Sequence, residues 1–300
     1  MLKITDKIKF NEITITDKNK FNEMLKGTDF LGAEYCFGNL FIWAKAYKVK
    51  LAFTDDFAIA ISGDEKKSFL FPIGKGDLKD IIIKMIDFAE QNNFKFRMHG
   101  VSKKDCGRLE EIMPGRFEYQ AVRENFDYIY NQSDLAELEG KRYHSKRNHI
   151  SFFENNYNYS FEPITEENLK ECQRLNDEWC KQNDCSDNKS LIREQCAIRT
   201  GLDNFFELGF SGGIIRVDND PIAYSFGEAV SDDLYVVHVE KAFADIRGAY
   251  PIINREMARN ICRGYKFINR EEDMGIEGLR KAKLSYNPEI LLEKYNVTLR

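Results

Sequence analysis

Residues 234–262 read LYVVHVEKAFADIRGAYPIINREMARNIC. The first seven are mostly β-branched or aromatic, which predicts a strand from 234 to 240. Gly248 then marks a turn, and a helix is predicted from 251 to about 262. A strand that leads through a glycine turn into a helix predicts an anion site, since the first N–H groups of a helix lack intrahelical partners and the helix dipole is positive there. The candidate residues for binding that anion are Arg247, Gly248, Ala249 and Tyr250.

The segments around this stretch predict an antiparallel meander. Strands are predicted at 210–217 and 221–230, and the strand at 234–240 is the third. Short polar turns, DND and SDD, separate them as hairpin loops would. Two helices are predicted before the meander, and another strand at 265–269 follows the helix. The second half of the chain therefore predicts a sheet with helices packed on it.

The first half repeats this order. Strands are predicted at 50–53, 58–62 and 68–72, followed by an amphipathic helix at 77–91 and a strand at 94–99. We therefore expect a mixed α/β (α+β) protein of two tandem domains, each a mixed, largely antiparallel sheet flanked by helices. The predicted domains are 1–140 and 141–300.

Composition limits the classes of function. The chain has 300 residues, of which 43% are hydrophobic and 13% aromatic, enough for two cores of ordinary domain size. The 44 Lys and Arg against 49 Asp and Glu argue against a general nucleic-acid coat, although a local basic patch could still bind RNA or lipid headgroups. No window is apolar enough for a membrane span, and residues 1–6 do not resemble a signal peptide, so we predict a cytoplasmic protein.

The cysteines predict neither disulfides nor a metal site. There are seven, with no CxxC pair. In a cytoplasmic chain such cysteines are expected to be free thiols packed as small hydrophobic residues. Of the 4 histidines only His144 and His149 lie near each other in sequence, and no metal site is expected.

Several segments of the second half carry a family resemblance. They are KRYHSKRNH at 141–149, GGIIRV at 212–217, HVEKA and DIRGAY within 238–250, and NREED and GLRKAK within 269–283. In these the chain resembles the DUF2156 family, whose domain is similar to the C-terminal domain of phosphatidylglycerol lysyltransferases and, more remotely, to Fem-type peptidyltransferases that use aminoacyl-tRNA. The resemblance implies two GNAT-like domains, with an acyl-CoA or aminoacyl-tRNA donor bound by the second.

The strand at 234–240 also supplies candidates for catalysis. Acyl transfer needs a base for the nucleophile's proton and donors for the oxyanion. His238 and Glu240 lie two apart, so their side chains are expected on the same face of the sheet, where both could line an acceptor channel. A structural His–Glu pair is the alternative. Glu228 and Asp273 are the competing carboxylates.

Two groups of basic residues complete the candidates. Arg280 and Lys283 lie three apart on a predicted short helix and would present two cations to a phosphate or an ester carbonyl. We assign Arg280 to donor binding and Lys283 to catalysis, and a solvated helix face is the alternative. Another predicted helix carries candidate polyanion-binding residues that could equally be a solvated face: Arg142, His144, Lys146 and Arg147.

Two classes of function remain open. The first is an acyl- or aminoacyltransferase that acts on an amine or hydroxyl acceptor, with a phospholipid headgroup among the acceptors considered. The second is a catalytically silent GNAT-fold module that binds a phosphorylated ligand, tRNA or a lipid headgroup. A transferase should retain an open cleft with a carboxylate or histidine near the donor's carbonyl, whereas a binding module could fill that cleft with its own aromatic side chains.

Overall fold

The computed structural model describes residues 8–300, which fold into two compact units. One unit extends to Phe126 and takes in Leu292–Arg300, and the other is Asp127–Leu291. Residues 1–6, on which the expectation about a signal peptide rests, lie outside the described residues. Within the described range, no helix combines the length and the apolar character that a membrane crossing requires.

The first unit alternates helices and short strands. In chain order its elements are β1 (Asn11–Glu12), α1 (Lys18–Leu25), α2 (Phe37–Tyr47), β2 (Lys50–Phe53), β3 (Phe57–Ser62), β4 (Ser68–Phe69), β5 (Ile73–Gly74), α3 (Leu78–Gln91), β6 (Arg97–Ser102), α4 (Lys103–Ile112) and β7 (Phe117–Ala121). The long helix α3 shows how sequence sets these bounds: Asp77 caps it by accepting a hydrogen bond from the Asp80 N–H, and its apolar side chains lie buried on one side.

The second unit has the same kinds of element in a similar order. They are β8 (Asp127–Asn131), α5 (Gln132–Glu137), α6 (His144–Asn156), β9 (Tyr159–Pro163), α7 (Leu169–Gln182), α8 (Lys189–Asp203), α9 (Phe205–Leu208), β10 (Ser211–Val217), β11 (Asp220–Ala229), β12 (Leu234–Ala242), α10 (Ala249–Glu256), β13 (Phe267–Asn269), α11 (Glu277–Leu284) and β14 (Ile290–Leu292). The chain ends in β15 (Lys294–Leu299). The predicted meander is confirmed, and Asp218 and Asn219 turn between β10 and β11 with positive φ angles of 50° and 75°.

Each unit contains one mixed sheet. The first has the strand order β1-β2-β3-β4-β6-β15-β7, with β5 beside β3, and the second has the order β14-β8-β13-β12-β11-β10-β9. In both, one internal pair is parallel, β4 with β6 and β12 with β13, while the remaining pairs with a recorded direction are antiparallel. The predicted fold class, two mixed and largely antiparallel sheets flanked by helices, is confirmed.

The division of the chain differs from the predicted boundary between residues 140 and 141. Strand β8 follows β7 in sequence but lies between β14 and β13 in the second sheet, and β15 lies between β6 and β7 in the first. The last strand of each half is therefore exchanged. For this reason the compact units divide after Phe126, and the end of the chain returns to the first unit.

The core of the second unit lies between its sheet and the helices α5, α6 and α10. It is rich in aromatic residues, and Tyr128, Tyr130, Tyr143 and Phe153 are among its fully buried side chains. These helices pack against the same face of the sheet as the candidate site on β12.

The free-thiol prediction was wrong for two cysteines. Cys180, in the last turn of α7, is joined by a disulfide to Cys185, in the short turn before α8. The turn brings their Cα atoms to 5.2 Å, within the range that a disulfide spans. Among the described residues the free cysteines are Cys36, Cys106, Cys172, Cys196 and Cys262.

Candidate functional site

A β-bulge in the second sheet shapes the candidate site. The pairing of β11 with β12 shifts from Gly227↔Val237 to Phe226↔Val239, which leaves His238 without a partner in the ladder. Gly227 makes this possible, because a Cβ at that position would lie 1.8 Å from the Val236 carbonyl oxygen. Such an extra residue re-aims the side chains that follow it.

The bulge places His238 and Glu240 on opposite faces of the sheet, so the prediction that they share a face was wrong. Glu240 lies opposite Ser225, on the face that carries α10, whereas His238 contacts Glu228 on the other face. In a regular strand, side chains two residues apart point to the same face. Here that rule fails because His238 has no cross-strand partner, so the alternation of faces shifts by one residue after it.

His238 lies between two carboxylates. Its Nε2 is 3.0 Å from Glu228 Oε1, and its Nδ1 is 2.8 Å from Glu271 Oε1. Because ionised carboxylates only accept hydrogen bonds, both ring nitrogens must donate, which requires the imidazolium form. Burial lowers the pKa of His238, but the hydrogen bonds to Glu228 and Glu271 outweigh it and raise the pKa to about 9. In this arrangement His238 offers no lone pair for a proton.

Glu240 lies where β12 and β13 part. The two strands pair in parallel only as far as Val236↔Asn269. Beyond that point Glu240 Oε1 accepts a hydrogen bond from Arg270 Nη2 at 2.8 Å, and its Oε2 accepts a longer one from Asn254 Nδ2 at 3.3 Å. Asn254 is a buried residue of α10. Beyond the end of the parallel pairing, a carboxylate and a guanidinium thus lie side by side, and both are largely buried.

Three buried side-chain atoms around Glu240 make no hydrogen bond to any described residue. They are Ser225 Oγ, Asn254 Oδ1 and Arg270 Nη1. A buried polar atom without a partner costs about 1–3 kcal/mol, and folded proteins satisfy nearly all such atoms. Two of the three belong to residues that bond Glu240, and Ser225 is its cross-strand neighbour. A hydroxyl, an acceptor and a cationic donor beside one carboxylate form a set that a polar ligand would satisfy.

Of the predicted polyanion-binding residues, one lies at this site. Lys146 Nζ is 3.9 Å from the centre of the Tyr286 ring, and the Arg270 guanidinium lies 5.0 Å from the same ring. The others have partners elsewhere, since Arg142 pairs with Asp134 and Arg147 donates to the carbonyls of residues 138 and 140. His144 contacts Asn148 one turn along α6.

Asp273 is a buried carboxylate with several partners. Arg280 donates to it through Nε at 2.8 Å and Nη2 at 2.9 Å, the Tyr128 hydroxyl donates at 2.6 Å, and the Gly275 N–H at 2.9 Å. Burial opposes ionisation, but these hydrogen bonds hold the pKa of Asp273 well below its usual range. The predicted phosphate-binding cation Arg280 is therefore engaged by Asp273.

Lys283 is also buried, and its ammonium is hydrogen-bonded to the backbone of the segment that follows β13. Its Nζ donates to the backbone carbonyls of Arg270 and Glu272, and burial lowers its pKa. Through these bonds Lys283 fixes the backbone that carries Arg270. Its position is thus beside the site, with its donors directed at the protein backbone.

The turn that was predicted to bind an anion, residues 247–250, packs closely against α6. Gly248 has a φ of +94°, and a Cβ there would lie 2.7 Å from the His149 carbonyl oxygen. Arg247 stacks its guanidinium over Phe152 at 4.1 Å, and Ala249 is buried. The Tyr250 hydroxyl accepts a hydrogen bond from Trp179 Nε1 at 3.2 Å. Packing alone accounts for the glycine, and anion binding by this loop stays a prediction.

Sequence reasoning missed three residues of the site, namely Ser225, Asn254 and Arg270. Asn254 and Ser225 lie within an apolar helix and an apolar strand, where a small polar residue is the only signal. Arg270 stands directly after a strand, in the NREED segment that carries part of the family resemblance. That position was the available clue, because side chains at strand ends often line sites.

Comparisons with known proteins agree with this architecture. The family model described as "Phosphatidylglycerol lysyltransferase, C-terminal" matches residues 27–298. A conserved protein of unknown function from Bacteroides thetaiotaomicron is 41% identical, with a TM-score of 0.94, over 98% of this chain and 100% of that one. An uncharacterized protein of Mycoplasmoides gallisepticum is 22% identical over 194 residues, 62% of this chain and 61% of that protein's length.

Two more distant structures share the fold. One is the C-terminal DUF2156 domain of a putative lysylphosphatidylglycerol synthetase from Agrobacterium fabrum, with 12% identity, a TM-score of 0.69 and coverage of 95% of this chain and 92% of that one. The other is L-PGS from Bacillus licheniformis, with 14% identity, a TM-score of 0.65 and coverage of 94% and 91%. The chain belongs to the family of phosphatidylglycerol lysyltransferase C-terminal domains and shares the fold of these two structures.

Proposed function

We propose that the second unit transfers an aminoacyl or acyl group from aminoacyl-tRNA or acyl-CoA to an amine or hydroxyl acceptor, with Glu240 as the general base. The observation that carries this proposal is the set of three unsatisfied buried atoms around the Glu240–Arg270 pair. It lies where two parallel strands part, and a ligand that enters there reaches the carboxylate and the guanidinium together.

The proposed reaction uses the groups at this site. Glu240 takes the proton of the acceptor's hydroxyl or amine while the acceptor atom forms a bond to the donor's carbonyl carbon, and the carbonyl π electrons move to oxygen. The carbonyl then re-forms, the ester C–O or thioester C–S bond breaks, and the proton on Glu240 passes to the leaving oxygen or sulfur. Arg270 Nη1 is a donor available to the oxyanion.

Two features favour an aminoacyl donor over a simple acyl donor. Asn254 Oδ1, beside Glu240, is a buried acceptor without a partner among the described residues, and it suits a hydrogen bond from the ammonium group of an amino acid. The family description also names a lysyl group as what its members transfer and phosphatidylglycerol as what receives it. We therefore propose an aminoacyl group as the donor moiety and a hydroxyl, of the kind found on a lipid headgroup, as the acceptor.

The second candidate is the non-catalytic binding module. It is favoured by the close packing of Gly248 against α6 and by the pairing of Arg280 with Asp273, because these contacts occupy two features on which donor binding was predicted. The two functions differ in whether Glu240 is needed for turnover.

The substitution Glu240→Gln tests the proposal. It preserves side-chain volume and removes basicity, so we expect single-turnover rates to fall about 10²- to 10⁴-fold while donor affinity is retained. The assay would use a panel of aminoacyl-tRNAs and acyl-CoAs with phosphatidylglycerol or a soluble amine as acceptor. Glu178→Gln, at an exposed position on α7, is the matched control. Wild-type rates in Glu240→Gln would exclude this base, and no turnover by the wild type with any donor would favour the binding module.

A further inference from the structure

Lys146 differs from the two arginines of its segment, Arg142 and Arg147. It donates no hydrogen bond and forms no ion pair with any residue between 8 and 300, whereas Arg142 and Arg147 are engaged by neighbouring groups. The side chain is partly buried, and its ammonium faces the Tyr286 ring at 3.9 Å. A half-buried ammonium with unused donors is costly unless a ligand completes its hydrogen bonds.

The surroundings of Lys146 are those of the Glu240 site. Arg270 lies over the same Tyr286 ring at 5.0 Å, and Tyr286 is only 5% exposed. Burial and the Arg270 guanidinium lower the pKa of Lys146 to about 8, and Glu240 opposes them. Arg270, Glu240 and Tyr286 are the charged or titratable groups that face it. Lys146 thus brings a third charge to the site from a different element, α6.

On the basis of the transferase function proposed above, we propose that Lys146 is a substrate-contacting residue whose ammonium binds the donor's carbonyl oxygen as it becomes an oxyanion. Lys146 provides a single available ammonium, which suits one developing charge better than a polyanion. When the acceptor atom bonds to the carbonyl carbon, the π electrons of the carbonyl move to this oxygen. They return when the bond to the leaving oxygen or sulfur breaks, and that atom takes the proton held by Glu240.

The role predicts a particular kinetic result. Lys146→Met keeps the apolar stem but removes the charge, so we expect kcat to fall about 10²- to 10³-fold with little change in KM, because the contact strengthens only in the transition state. Lys146→Arg should recover part of the loss. The control is Lys170→Met, at an exposed position on α7, which should retain wild-type kcat.

The pH profile gives a second readout. Lys146 acts only as an ammonium, so wild-type kcat should fall as the pH rises through about 8. In Lys146→Arg this fall should move to higher pH, since the guanidinium keeps its proton. Competitive acetylation by acetic anhydride across pH, read by peptide mass spectrometry, measures the amine directly and needs no turnover. Lys146 should become reactive as the pH rises through about 8.

The outcomes separate this role from the function on which it rests. Wild-type turnover that persists unchanged in Lys146→Met would overturn the role of Lys146 and leave the transferase function standing. Absence of turnover by the wild type with every aminoacyl-tRNA and acyl-CoA tried would overturn both. Acetylation of Lys146 that shows no rise as the pH passes through about 8 would overturn its placement beside Arg270.

Discussion

At the scale of single residues, two ionisable side chains of strand β12, His238 and Glu240, have different surroundings and therefore different roles. His238 is held as a cation between Glu228 and Glu271, which makes it a structural charge. Glu240, on the other face of β12, keeps unsatisfied neighbours and is the proposed base. Both ring nitrogens of His238 already have hydrogen-bond partners, whereas the neighbours of Glu240 include buried atoms that have none. This difference favours Glu240 over His238 as the base, although both residues belong to the same strand.

The raised pKa of His238 predicts a pH-dependent stability. Its pKa of about 9 in the folded protein exceeds the value of roughly 6.5 in an unfolded chain. The stabilisation is therefore complete below about pH 6.5 and is lost as the pH rises through about 9, with a total of about 3 kcal/mol. Urea unfolding at about pH 6 and about pH 9.5 should show this loss in the wild type and a smaller one in His238→Gln. Equal pH dependence in the two proteins would contradict the imidazolium assignment.

At the scale of elements, the bulge in β12 determines which side chains reach the site. It depends on Gly227, whose missing side chain admits the Val236 carbonyl. Past the bulge, Glu240 faces α10 and meets Asn254, which an unbroken ladder would not allow. The π-helical segment Met257–Ile261 then continues α10.

Gly227→Ala should disrupt this element. The new Cβ would lie 1.8 Å from a backbone oxygen, so the strands must shift, and we expect unfolding free energy to fall by at least about 2 kcal/mol. Gly278→Ala is the control, because nothing lies within 4 Å of that position on α11 and alanine favours a helix by about 0.5–1 kcal/mol. Denaturant titration measures both. Wild-type stability in Gly227→Ala would show that the bulge does not need glycine.

At the scale of the whole molecule, the exchanged strands tie each half of the chain to the sheet of the other. The last strand, β15, is not an edge, because it pairs with β6 on one side and β7 on the other. Within it Val297 is fully buried and Lys294 is nearly so. The end of the chain is therefore part of the first unit's core.

Removal of residues 293–300 should damage the first unit selectively. Loss of β15 leaves β6 and β7 without their shared neighbour, so their amides should lose hydrogen-exchange protection. The amides of β11 and β12, whose partners remain, should keep theirs. Native-state hydrogen exchange of the shortened and full-length proteins measures this difference. Equal protection of β6 in both would argue against a structural role for the exchanged strand.

Much of the fold could be predicted because its signals are local. Alternating apolar residues, the short polar turns and the apolar face of α3 each depend on neighbours a few residues apart. These patterns gave the meander, the long helix and the repeat of one order of elements in both halves. The basic and acidic residues near Gly248 and after β13 were also visible as candidates, since their chemistry is evident from the sequence.

The sequence by itself determined the elements, the fold class and the region of the chain that carries the site. Only the tertiary structure decided where β8 and β15 pair, which face Glu240 takes after the bulge, and that Arg270, Asn254 and Lys146 are its neighbours. The physical reason is range. Secondary structure follows from interactions between residues close in the chain, whereas strand exchange, a bulge and a polar site depend on backbone and side-chain contacts between distant segments, which no local pattern records.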